Sequence, residues 1–368
     1  LVGDIHIREN EQLDDVVRCL EFARQVAATQ EVTAALIAGD VYEGKSSPEE
    51  RAVAGRFLAS LPCEAIVVKG NHDQPGELQI FEPYVGSWIA EEPIVIETGD
   101  VDVLCVPWPE RAWLAEAGHT GEAGDQAGSA ALAAMLHGMV ATREHPERPL
   151  IILAHLQVLG AISSSAQPMI GRAIEAVLGD LQDLGAAAVV LGHIHKPQQL
   201  APGVEYIGSL TCHDFGEEDE EKRIGVLTVE DDGTASVEWV AVPCRRWVTI
   251  EAKVGEDGTP VDEWPVALSE ADEQLVISGA AGCNVRYRYA CDEAEQHLFD
   301  HAEIERRFAA AHTLKIVAQV ERAERVRAAE VAAAASTEDQ LRAWGAATGT
   351  PVTDSHIEKL HQLESEAV

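Results

Sequence analysis

The chain has 368 residues, of which 46% are hydrophobic and 24% charged. At roughly 150 residues per domain, that length holds two to three domains with ample core, which excludes wholesale disorder and a mini-protein scaffold. There are 27 basic and 63 acidic residues, a net charge of −36. Duplex affinity comes mainly from Lys and Arg at phosphates, so such a surface does not coat nucleic acid by itself. That argument leaves room for a local site where metal ions reverse the sign.

No run approaches the ~20 consecutive apolar residues of a membrane helix, and no charged start leads into an apolar stretch. The chain opens at Leu1-Val2-Gly3-Asp4 without an initiator Met, which leaves open a lost targeting segment. The cysteines (Cys19, Cys63, Cys105, Cys212, Cys244, Cys283 and Cys291) form no CxxC pair and are odd in number. Free thiols in a reducing cytoplasm are expected, and a thiolate zinc site is not.

In chain order, Leu13, Val16, Val17, Leu20 and Phe22 mark a first amphipathic helix. Apolar runs at 34–38, 65–68, 101–106, 150–154 and 187–191 predict strands; most are continuous rather than alternating, as in strands buried on both faces. Residues 119–129, rich in Gly, Ala and acid, predict a flexible loop before a helix over 130–142, and 173–184 predicts another helix. The acid run 217–221 predicts a solvated turn, and 224–229 and 236–242 predict strands that close a first α/β domain over 1–243.

After Pro243 the texture changes. Segments 247–254, 274–278 and 284–289 predict strands, with Val285, Tyr287 and Tyr289 alternating, followed by a helix over 302–311 and a strand over 313–317. This predicts a small α+β domain over 244–320. Residues 321–368 are Ala-, Glu- and Arg-rich and predict helices, broken at Gly349-Thr350-Pro351. Asp354 is the expected cap of a last helix carrying Ile357, Leu360 and Leu363.

Five motifs share one arrangement: polar, metal-competent residues just after an apolar run. They are Gly3-Asp4-Ile5-His6, Gly39-Asp40, Gly70-Asn71-His72-Asp73, Ala154-His155 and Gly192-His193-Ile194-His195. Ligands in open α/β sheets gather at the carboxyl ends of strands. Glycine before Asp40, Asn71 and His193 lets the chain turn sharply and the backbone approach closely. Singly, each motif has an ordinary structural explanation as a turn, a cap or a packed histidine. Together and in order they suit two divalent ions, with Asp4, His6, Asp40 and His195 for one and Asp40, Asn71, His155 and His193 for the other. Asp40 bridges, and mixed imidazole, carboxylate and amide oxygen favour Mn²⁺ or iron. His193 and His195, two apart, are expected to point the same way if extended. Arg8, Lys45, Lys69, Arg172 and Lys196 flank these motifs, with solvent exposure as the default; His213 is expected to be structural, with DNA contact as the alternative.

This order of motifs resembles the calcineurin-like metallophosphoesterase superfamily over residues 1–240, and within it the SbcD-type DNA-repair exonucleases. Tyr206-Ile207-Gly208-Ser209-Leu210, Phe215-Gly216-Glu217, Lys222 and the strand beginning Arg245-Arg246-Trp247 carry the narrower likeness. The resemblance implies a β-sandwich flanked by helices, a small DNA-capping domain and a helical segment that binds an SbcC-like coiled-coil ATPase. It further implies a cytoplasmic, two-metal, usually Mn²⁺-dependent nuclease acting on DNA as a homodimer within a heterotetramer. His72, oriented by Asp73, takes the family's catalytic imidazole position; where some relatives carry a second histidine, this chain has Glu43. The competing readings are a phosphoesterase of small substrates, against which the region after 243 argues, and a scaffold with a relict site.

Overall fold

The computed structural model of the chain describes residues 1–9, 12–82, 86–110, 125–164, 174–254, 260–263, 280–292, 296–321, 331 and 334–366. The fold is mixed α/β. It divides into two compact units, one of residues 1–249, 268–286 and 306–315, the other of 250–267, 287–305 and 316–368.

In the first unit, helix α1 (Leu13–Thr29) precedes a parallel three-stranded sheet of β1 (Ala34–Ile37), β2 (Glu64–Val68) and β3 (Trp88–Ala90). Helix α2 (Pro48–Ser60) joins β1 to β2. Its start is written locally: the Ser47 hydroxyl accepts from Glu50 N, the Glu50 carboxylate accepts from Ser47 N, and Pro48 lacks the N–H that a first turn leaves unpaired.

The second sheet is built from β4 (Ile94–Thr98), β5 (Val101–Val106) and β6 (Leu150–His155), with helix α3 (Asp125–Ala141) between β5 and β6. A short parallel pair, β7 (Gln157–Val158) and β8 (Glu175–Ala176), and helix α4 (Leu178–Asp183) follow. The sheet is completed by β9 (Ala188–Gly192), β10 (Gln198–Ala201) and β11 (Val204–Tyr206). Its order is β10-β11-β9-β6-β5-β4; β5, β6, β9 and β11 run parallel, and the two edge strands are antiparallel to their neighbours. Strands β6 and β9 are buried along their whole length, as continuous apolar runs require. Ala38, Val68, Leu153, Val190 and Ile207 belong to one buried cluster drawn from both sheets. An antiparallel pair, β12 (Arg223–Val229) and β13 (Ala235–Ala241), closes this part of the chain.

The four-stranded sheet after Pro243 has the order β15-β14-β16-β17, from β14 (Trp247–Val254), β15 (Pro260–Glu263), β16 (Asn284–Asp292) and β17 (Thr313–Glu321). Along β16, Val285, Tyr287 and Tyr289 are buried and alternate with half-buried Arg286 and Arg288. In the second unit Tyr289 stacks on Phe299 with ring centroids 3.7 Å apart. Helices α5 (His301–Arg307), α6 (Thr337–Thr348) and α7 (Asp354–Glu366) complete the described elements. Gly349 ends α6 in the left-handed conformation, at φ 68°. Among the described residues no helix is long and apolar enough to cross a membrane, and none of the seven cysteines is in a disulfide.

Several local expectations are corrected. The first motif follows no strand: Asp4 and His6 lie between isolated bridges, Val2 to Ile37 and Ile7 to Tyr42. Helix α3 begins at Asp125, inside the expected loop, because the alanines of its first turns outweigh Gly128. Glu175–Ala176 pairs with β7, so the helix expected from 173 starts only at Leu178. The helix expected to 311 ends at Arg307, and Asp354 is the first residue of α7 rather than its cap. The loop over 119–124, the strand over 274–278 and Arg172 lie outside the described residues.

One buried tether fixes the chain after β6. The Tyr206 hydroxyl donates to Leu156 O at 2.7 Å and accepts from Val158 N at 2.9 Å. Tyr206→Phe leaves both backbone groups buried and unpaired, so urea unfolding is expected to show a loss of about 1–3 kcal/mol. Stability equal to the parent's would remove this role from the hydroxyl.

Candidate metal centre

Four turns and one strand terminus meet at a single pocket in the first unit. β1 runs into Asp40, β2 into Asn71 and His72, β6 ends on His155, and β9 ends one residue before His193. The fifth contribution, Asp4 and His6, lies between the two isolated bridges. Asp4, His6, Asp40, His193 and the glycine Gly39 all take positive φ, at 37°, 47°, 49°, 94° and 89°. For the four residues that carry a Cβ this conformation costs roughly 1–3 kcal/mol each, and such strain gathers at functional sites. The glycines allow the close approach: a methyl group at Gly70 would overlap the Asp40 carboxylate, and one at Gly192 the Ala38 carbonyl.

The donor atoms converge. Asp40 Oδ2 lies 3.3 Å from His155 Nε2 and 3.7 Å from His6 Nε2, while its Oδ1 accepts from His72 N at 2.8 Å. Asn71 Oδ1 lies 2.9 Å from both His155 Nε2 and His193 Nδ1. Asp4 Oδ1 accepts from His193 N at 2.8 Å. His195 Nε2 faces His6 Nε2 at 3.2 Å.

The far side of three of the imidazoles is held. His155 Nδ1 meets Ala38 O at 2.7 Å, His195 Nδ1 meets Glu217 Oε1 at 2.8 Å, and His6 Nδ1 meets Glu43 Oε2 at 2.6 Å. In the neutral rings that ligation requires, with Nδ1 donating outward, Nε2 lone pairs point into a pocket already lined by Asp40 and Asn71 oxygens. Acceptors then face acceptors, and Asp4 Oδ2 is buried with no hydrogen-bond partner among the described residues. This is the donor set a divalent cation fits. Ligand-capable atoms of Asp4, His6 and Asp40, and of Asp40, His155 and His193, lie within 4.8 Å of one another.

The electrostatics agree. Burial works against a charged His6, yet Glu43 and Asp40 push it up to about 9. Burial opposes His155 likewise, and Asp40 and Asp4 raise it to about 9. His193 moves the other way, down to about 3, through burial and the positive charge of His155. Asp40 stays below the usual carboxylate range in spite of burial, because His155 and His6 surround it. Burial raises Asp4.

Comparison with known proteins agrees with this geometry. The calcineurin-like phosphoesterase family matches residues 1–197, more than half of the chain and all seven candidate ligands. The chain belongs to this family. Its members are metal-dependent phosphoesterases, which accords with the donor set. The chain is also similar to the SbcD subunit of the SbcCD nuclease of Escherichia coli (strain K12), 28% identical over 256 residues, 62% of this chain and 62% of that one. The SbcD subunit from Rhodobacter capsulatus is 29% identical over 218 residues, 50% of this chain and 54% of that one. The matches thus span less than two thirds of these relatives.

Within this calcineurin-like phosphoesterase, some roles differ from the sequence reading. Asp73 does not orient His72: its two oxygens accept from Tyr42 N and Gly70 N, both at 2.9 Å, so it pins the turn instead. The carboxylate beside His72 is Glu43, 3.6 Å from its Nδ1. Strand alternation does not place His193 and His195, because β9 stops at Gly192 and His193 takes a positive φ of 94°. Lys69 is buried and paired with Glu110 at 2.5 Å.

Glu217, expected in a solvated turn, is 1% exposed. It binds His195 on one oxygen and the buried Lys222 on the other at 2.9 Å, and both attractions hold it ionised despite burial. Its place after Phe215-Gly216, ahead of Lys222, was the available signal. Trp108 was also missed; its ring lies 4.6 Å from that of His193.

Two tests follow. Only glycine relaxes at the φ of 94° held by His193, so His193→Gly should melt higher than His193→Ala, by about 1 kcal/mol or more in stability. Equal melting would mean the strain is absent. Second, cation ligation requires neutral imidazoles, while His6 and His155 hold protons up to about pH 9. Mn²⁺ binding at pH 7 should therefore release protons, and affinity should climb as pH rises toward 9. Calorimetry in buffers of different ionisation enthalpy reads this directly; buffer-independent heats would contradict it.

Proposed function

We propose that this phosphoesterase is a metal-dependent DNA nuclease, exonuclease and endonuclease, and the nuclease component of an SbcCD-type repair complex. The carrying observation is the convergence of Asp4, His6, Asp40, Asn71, His155, His193 and His195 on one pocket beside His72. Similarity to the SbcD component of the SbcCD nuclease supports the choice of DNA as substrate.

In this reading Asp4, His6, Asp40 and His195 hold one ion and Asp40, Asn71, His155 and His193 the other. Two divalent ions bound there, Mn²⁺ in this reading, would supply positive charge for the phosphate oxygens and acidify water near neutral pH. His72 supplies what the ligands do not. Its backbone N is anchored on Asp40, its side chain is 38% exposed, and its Nδ1 faces Glu43. An imidazole so placed stabilises charge in the transition state or protonates the leaving 3′ oxygen. Asp73 acts earlier, by fixing the turn that carries Asn71 and His72.

The net charge of −36 sets the division of labour. DNA is held by the metal cleft, a few local cations and a partner's surface. Residues 244–320 act as the DNA cap, and 321–368 bind an SbcC-like coiled-coil ATPase, in a heterotetramer built on a homodimer. On α7 Ile357 is buried but Leu363 is 52% exposed, and Trp344 of α6 is 46% exposed, which leaves apolar surface for such a partner.

The test compares linear duplex DNA, a cyclic nucleotide and a chromogenic phosphomonoester with added Mn²⁺. DNA should be cleaved, and more tightly bound once the ATPase is added. His72→Ala should lower the rate by about 10²–10⁴-fold with both ions retained. Asp40→Ala should empty both sites. Preference for the monoester would favour a small-substrate phosphoesterase, and two tightly held ions in Asp40→Ala would end the bridging role.

A further inference from the structure

An eighth ligand-capable side chain stands at the pocket. The His213 ring lies edge-on to His6, with centroids 4.7 Å apart, and tilted against His195 at 4.6 Å. A ligand-capable nitrogen of each of His6, His195 and His213 lies within 4.8 Å of the other two. His213 Nε2 is buried and has no hydrogen-bond partner among the described residues. Leaving such a group unmet costs about 1–3 kcal/mol, so its persistence calls for a partner of another kind.

The loop that carries it is built to hold it there. Glu217 Oε2 accepts from His213 N at 3.1 Å, while Oε1 takes His195 Nδ1 at 2.8 Å. Lys222, itself fully buried, fixes the same carboxylate at 2.9 Å and also donates to His195 O and Ser209 Oγ. One buried carboxylate therefore sets the position of both imidazoles. A loop that merely passed the site would not share its anchor with a ligand.

We propose that His213, through Nε2, is a further ligand of the cation held by Asp4, His6, Asp40 and His195. The proposal rests on the two-metal reading above and adds a consequence. This ion then meets three imidazoles and the Asp4 and Asp40 carboxylates, whereas its neighbour meets two imidazoles, the Asp40 carboxylate and an amide oxygen. Imidazole nitrogen favours zinc and iron, whereas carboxylate and amide oxygen suit manganese and magnesium. The two sites are therefore unequal, and His213 biases its own toward imidazole-preferring metals.

The test uses the full chain, with Zn²⁺ or Mn²⁺ alone, by calorimetry and metal content. The parent should bind two ions. His213→Ala should still bind two, one of them weakened about tenfold or more for Zn²⁺ and less for Mn²⁺. Pulsed electron paramagnetic resonance of the Mn²⁺ forms should count one coupled histidine nitrogen fewer in the variant. His213→Phe fills nearly the same space without a donor atom, and it reads the same quantities if the alanine variant does not fold. Unchanged affinities and nitrogen count would overturn the proposal, as would unchanged metal binding with lost DNA cleavage, which assigns Nε2 to the substrate. A parent that binds fewer than two ions would instead bring down the two-metal reading, and this proposal with it.

Discussion

Two carboxylates taken out of water are the constraint on which the rest of the pocket depends. Asp4 and Asp40 are 0% and 2% exposed. Each is ringed by histidines rather than by Lys or Arg. Burying an ionised carboxylate is costly unless positive charge and hydrogen bonds meet it. Backbone N–H groups of His72 and His193 meet one oxygen of each, and the imidazoles meet Asp40 from the other side. What remains, including an unmet oxygen on Asp4, is a deficit of positive charge at one point. The same deficit raises His6 and His155, and it gives a divalent cation its hold.

Holding that deficit in place requires rigid support. The turns that carry Asp40, Asn71, His155 and His193 spring from strands packed into a common buried cluster. Four of the ligand positions sit in left-handed backbone, a conformation their neighbours must impose. Strands buried on both faces are suited to imposing it, since neither end of a turn can relax without breaking the core. The outer contacts repeat the strategy in side chains: Ala38 O, Glu43 and Glu217 each fix one ring nitrogen, which determines where the other points.

The parts readable from sequence were those where chemistry demands a residue type. Asp, His and Asn behind apolar runs mark metal competence, and glycines mark close approach, so the seven ligand candidates could be named before any geometry. Partners chosen by geometry alone were opaque. The run Glu217-Glu218-Asp219-Glu220-Glu221 offers five interchangeable carboxylates, and only the path of the loop turns Glu217 inward beneath His195. Asp73 next to His72 suggested a pair, but adjacent side chains in a tight turn diverge, and Asp73 satisfies backbone N–H groups instead. The Gly-His-x-His motif was read with strand geometry that ends one residue too early. Short pairings such as β7 with β8 are set by tertiary packing, where the intrinsic preference of two residues carries no weight.

The acidic surface and the pocket obey the same electrostatics with opposite results. A net charge of −36 repels a polyanion at long range and concentrates divalent cations near the surface. Inside the pocket, the ligand set offers only Asp4 and Asp40 as formal charges; asparagine and neutral imidazoles supply the rest. On the proposed two-ion reading, such ligands would leave the centre net positive, whereas an all-carboxylate cage would neutralise it. Neutral donors therefore keep the attraction for phosphate local, at the point where the ester bond is to be broken. A chain of this composition gains selectivity from that arrangement, because a phosphate is drawn in only where cations are bound, and screening by salt weakens the surrounding repulsion more than the buried attraction.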